Sequence, residues 1–151
     1  MSWLSLLSIL NLFFVGTLTG VEVASHYGFV IQPSFLGEAD QVRLRQALIR
    51  RLRVLVPAIF GPAFFTTIAI ALLSAPGPAM MLRSIALAGD ALWIYARVVA
   101  TARINSAAMD WSPASPPADW RVLIERAERF HVASLWAVTI GFLSLLTASA
   151  L

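Results

Sequence analysis

Five polar residues stand out because their types and spacing could do chemistry inside an otherwise oily chain: Glu22, His26, Arg97, Asn105 and His131. Glu22 and His26 are about one helical turn apart, and Arg97, Thr101 and Asn105 follow at steps of four, so each set shares a helical face. A histidine that titrates near neutral pH can remove an acidic C–H or O–H proton, and a guanidinium beside a carboxamide can hold the oxyanion that results. His131 or His26 is the candidate base, with Arg97 and Asn105 as the oxyanion partners. The same residues admit a second chemistry. Glu128 with His131 makes a Glu-x-x-His pair and Glu22 with His26 a Glu-x-x-x-His pair, so two carboxylates and two imidazoles could hold metal as in di-metal bundles. His26 and His131 could equally hold a haem. The plainest reading of Glu22 with Arg97 is an ion pair that fixes helix register, whether or not chemistry follows.

The surroundings of these residues are those of a membrane protein. The chain has 151 residues, 59% hydrophobic and 13% charged, with a mean hydropathy of +0.79, outside the range of soluble domains. It has no cysteine, which removes disulfide and thiolate chemistry. The net charge of +3 rests on eleven arginines and no lysine. They lie beside apolar runs, where arginine sets orientation and meets lipid phosphate, so no nucleic acid is expected as a partner.

Apolar runs predict four spans, about residues 4–31, 54–73, 80–102 and 130–148, in a single all-α domain covering 1–151: an integral membrane four-helix bundle with its termini on the same side. MSWLSLLSIL has no basic residue and so does not read as a signal peptide. Pro33 should end the first helix, Gly16 and Gly20 should allow close helix approach, and Pro57 and Pro62 should kink the second span. Arg43, Arg45, Arg50, Arg51 and Arg53 read as a headgroup-bound amphipathic approach to that span. Further expectations are ion pairs Arg83–Asp90 and Glu125–Arg129, an interfacial belt of Trp3, Trp111 and Trp120, and packing or pocket-lining roles for Trp93 and Trp136. Nine arginines follow the first and third spans whereas Arg83 stands alone on the other side. The positive-inside rule then makes those two loops cytoplasmic, in what would be a bacterial inner membrane. That topology puts Glu22, His26, Arg97, Asn105 and His131 all in the cytoplasmic half.

The stretch ARINSAAMDWSPASPPADWRVLIERAERFH resembles the signature of the anthrone-oxygenase-like integral membrane family, long known as a domain of unknown function. Asn105 stands for the family asparagine that closes the third helix, Trp111 and Trp120 for the loop aromatics, and His131 for the histidine of the following helix. Gly16, Gly20 and Pro33 fit its first helix, so the resemblance covers nearly the whole chain. It departs at Arg103, where the family has proline, at Ala127, where it has tryptophan, and at Ser134, where it has arginine; Arg97 or Arg103 would have to replace that guanidinium. The resemblance implies a small membrane oxygenase or oxidase that acts on a lipophilic phenol- or anthrone-like substrate without a bound organic cofactor. The competing expectations are a haem or metal protein using His26 and His131, and a non-catalytic helical subunit of a larger membrane complex or homo-oligomer. The lipid bilayer is the partner common to all of them.

Overall fold

The computed structural model describes residues 2–30 and 36–151. Helix α1, Trp3–Ser25, starts behind Ser2, whose hydroxyl accepts the Ser5 amide at 3.1 Å, and runs on into a π-helical segment, His26–Val30. The stop expected at Pro33 lies outside the described residues. Helix α2, Glu38–Leu72, carries Glu38 and Asp40 in its first turn, where acid suits the unpaired amides. Its 35 residues make a rod of roughly 50 Å, longer than a hydrocarbon core of about 30 Å. The arginine-rich approach and the apolar span are therefore one helix, unbroken through Pro57 and Pro62.

Gly77 turns the chain at a φ of 157° and Pro78 takes the first position of α3, Pro78–Ile94. This helix continues through a second π-helical segment, Tyr95–Ala100, into α4, Ala102–Met109, so the third span is built from three joined segments. The proline-rich 112–119 stretch is non-helical, as its composition requires, and α5 covers Trp120–Ser149. Four helical stretches are long and apolar enough to cross a membrane. They form an integral membrane four-helix bundle in ring order α1, α2, α3, α5, with both termini at one end. Among the described residues the backbones of the diagonal partners, α1 with α3 and α2 with α5, do not approach one another, and these helices meet through side chains alone.

Three apolar clusters fill the bundle from the termini toward the arginine-rich end: Val15, Ala63, Ala86 and Leu145; then Leu18, Val56, Trp93 and Val138; then Val42, Ala108, Trp111 and Trp120. The last cluster corrects the expected aromatic belt. Gln46 Nε2 donates to the carbonyls of Ala108 and Trp111, each at 3.0 Å, folding α4 and its loop onto α2 and burying both indoles. Trp3 does face outward, and so does Trp136, which neither packs in the core nor lines the cavity as expected, because its position on α5 turns it away from the bundle.

Glycine placement also differs from expectation. A Cβ at Gly16 would lie 3.1 Å from the Phe142 ring, but one at Gly20 would meet nothing within 4 Å. The tightest seam joins α3 to α5, where a Cβ on Gly89 would sit 2.7 Å from the Ala137 carbonyl oxygen and one on Gly141 3.5 Å from Ala86 Cα. Two expected ion pairs do not form among the described residues. Arg83 donates instead to Ser74 Oγ, because helical side chains lean toward the N-terminus and so away from Asp90. Glu125 and Arg129 are both exposed, where ordering two long side chains costs about as much as the pair returns.

Gly89→Ala should cost about 1–3 kcal/mol, since its methyl meets backbone that cannot rotate away. A thermal-unfolding comparison in detergent should show a lower midpoint for this variant and none for Gly20→Ala; equal midpoints would rule out the seam.

Candidate functional site

At the arginine-rich half of the bundle lies a cavity of about 380 Å³, and Glu22, His26, Arg97, Asn105 and His131 all line it. The residues singled out on three different stretches of sequence thus meet at one place. Both π-helical segments border it: His26 opens the first, and Arg97 and Val98 belong to the second. In the second, the Thr101 amide donates to the Ala96 carbonyl at 3.1 Å, the wider hydrogen-bonding step that fits an extra residue into a turn. No sequence pattern announces these segments.

Glu22 is buried, 2% exposed, and its two oxygens are both engaged. Oε1 accepts from Trp93 Nε1 at 2.8 Å and Oε2 accepts from Arg97 Nη2. The expected Glu22–Arg97 pair is therefore present, with an indole added to it. Trp93 is fixed in turn by stacking on Phe60, with ring centres 4.1 Å apart and 13° between planes. A carboxylate held by two donors has little left to offer as a base, so Glu22 acts by positioning Arg97 and Trp93.

The second network was missed by sequence reasoning. Arg45, taken for a headgroup arginine, turns inward with its side chain only 12% exposed. Its Nη1 donates to Glu128 Oε1 and its Nη2 to Asn105 Oδ1 at 3.4 Å. The other Glu128 oxygen lies 3.4 Å from His131 Nδ1. The two atoms make no hydrogen bond in this geometry, but the carboxylate beside Nδ1 favours a proton there and leaves Nε2 as the ring acceptor. His131 Nε2 is buried with no hydrogen-bond partner among the described residues, and so is His26 Nδ1. The signal for Arg45 was available. It falls in the stripe Val42, Gln46, Ile49, Val56, whose helical spacing faces the bundle, whereas Arg43, Arg50 and Arg51 fall off it and are exposed.

Each ion pair crosses a diagonal of the bundle: Glu22 of α1 reaches Arg97 of the third span, and Arg45 of α2 reaches Glu128 of α5. Ser134 is fully buried and donates to the His131 carbonyl at 2.8 Å. The guanidiniums that line the cavity are those of Arg45, Arg53 and Arg97, while Arg103 is exposed and does not reach it. A metal finds less here than the spacing suggested. Both carboxylates are held by arginine, and among the described residues no three ligand side chains gather. Comparison with known proteins adds no relative, since no protein-family model, curated protein or solved structure matches the chain.

Removing one member of a buried pair strands the other charge. Glu22→Gln or Arg97→Gln alone should cost about 3–5 kcal/mol, whereas the double variant should be more stable than either single one. A double-mutant cycle on detergent unfolding checks this, and additive losses would mean that the two groups do not interact.

Proposed function

We propose that the protein is a small membrane oxygenase or oxidase that takes a lipophilic phenol- or anthrone-like molecule into this cavity and needs no bound organic cofactor. The observation that carries the reading is the convergence of an imidazole acceptor, a carboxamide and a guanidinium on one largely apolar cavity. His131 Nε2 accepts the acidic proton of the substrate. Arg97 and the Asn105 Nδ2 group, which makes no hydrogen bond among the described residues, stabilise the oxyanion. Low dielectric strengthens both contacts. The electron-rich carbanion reacts with O₂ to form a C–O bond; an anthrone-type CH₂ then loses hydroxide from its peroxide and becomes a carbonyl, so CH₂ and O₂ give C=O and water. Trp93, stacked on Phe60, supplies a flat wall for an aromatic ring. The arginine-rich end faces the cytoplasm in this proposal, with bacterial inner membrane as the setting, because nine arginines lie there.

Purified protein in lipid nanodiscs should oxidise anthrone with matching uptake of oxygen. His131→Gln should lower kcat by about 10²–10⁴-fold, the usual contribution of a positioned base, without changing the unfolding midpoint; undiminished turnover contradicts the assignment. One observation favours a second reading, haem ligation: His26 and His131 line the same cavity and each has an unpartnered buried ring nitrogen. A haemin titration separates the two. Stoichiometric binding with a shifted Soret band, lost on replacing either histidine, would replace the oxygenase reading.

A further inference from the structure

We propose that the cavity admits its ligand sideways from the bilayer and selects an amphiphile whose anionic group is held by Arg53 at the mouth. The inference rests on reading the cavity as a ligand site and adds the entry route and the charge of the ligand. Most lining residues are covered, but Arg53 and Pro57 on α2 and Val98 and Ser106 on the third span are exposed. The opening therefore lies between α2 and the third span. The surfaces beside it are oily: Val54 and Leu55 are exposed on α2, and Tyr95 and Val99 on the π-helical segment. A solute in the hydrocarbon near the headgroups meets this gap directly.

Charge at the mouth follows from the pairing inside. Three guanidiniums line the cavity. Arg45 is held by Glu128 and Arg97 by Glu22, whereas Arg53 makes no ion pair among the described residues. One uncompensated positive charge therefore stands at the rim, while the covered part of the lining includes apolar Leu52, Val56 and Trp93 and both histidines. Long arginine side chains at this depth extend along apolar surface and hold the guanidinium at the polar boundary. The matching ligand has a flat or aliphatic body for the cavity and a carboxylate, sulfonate or phosphate at its outer end. An uncharged molecule of the same shape fits the body of the site and forgoes the contact with Arg53.

The test uses the full chain in phosphatidylcholine nanodiscs with two fluorescent probes of one shape, anthracene-2-carboxylate and uncharged anthracene-2-methanol. Binding is measured against empty discs. The carboxylate should bind about fivefold more tightly, the effect of one partly screened charge pair. Arg53→Gln should bring the two probes level without weakening the alcohol, and Arg53→Lys should keep most of the preference. Val98→Trp, which fills the mouth from the lipid side, should weaken both. Equal affinities in the unaltered protein, as expected if lipid phosphate already occupies Arg53, overturn the proposal. So do a preference that survives Arg53→Gln, unchanged binding in Val98→Trp, or no binding above empty discs. The readout does not depend on turnover. Selective binding without oxidation fails the oxygenase reading alone, and oxidation of anthrone without carboxylate preference fails this one alone.

Discussion

A charge inside a bilayer must find its opposite within the protein, and this chain meets that constraint with two ion pairs, Glu22 with Arg97 and Arg45 with Glu128. Each joins helices whose backbones do not approach one another. The four helices pack as a ring, and the pairs run across its two diagonals at the arginine-rich half. Apolar side chains fill the ring elsewhere, as Leu18 and Val138 do. Where the long charged side chains cross, filling is incomplete and a cavity of about 380 Å³ remains. The constraint that fixes the helices thus also leaves the cavity between them.

Packing around that space is uneven in a useful way. The α3–α5 seam is closed by Gly89 and Gly141 to backbone contact, which gives His131 and Arg97 a firm common base. On the other side α2 meets the third span through larger side chains, among them the Phe60–Trp93 stack, and leaves an opening at Pro57 and Val98. A closely packed seam and an opening toward the lipid-facing surface therefore coexist in one small bundle. The π-helical segments sit at the boundary between the two regimes, consistent with their frequent appearance near functional sites.

Hydropathy made the spans legible in the sequence, because about 20 apolar residues in a row have few other fates. Depth arguments along those spans were enough to bring Glu22, His26, Arg97, Asn105 and His131 to one level, and they share a cavity. Rotation about each helix axis was harder to read, since it depends on packing across the ring. Hence Arg45 was placed among lipid headgroups when its stripe turns it inward, and Asp90 was given Arg83 as a partner when it is buried without an ion pair among the described residues. Gly20 fits a small-residue pattern as well as Gly16 does, yet only the latter touches a neighbouring helix. The buried Trp111 and Trp120 depended on a non-local clamp, Gln46 on the end of α4, that no local pattern encodes.

The most direct measurement of the central claim is a density map of the protein in nanodiscs, prepared with anthrone under exclusion of oxygen. The expected result is a flat ligand beside Trp93, with its oxygen within hydrogen-bonding reach of Arg97 or Asn105 and its acidic carbon facing His131. A cavity without ligand, in which His26, His131 and Asn105 bond to one another and the two arginines no longer span the bundle, would contradict it.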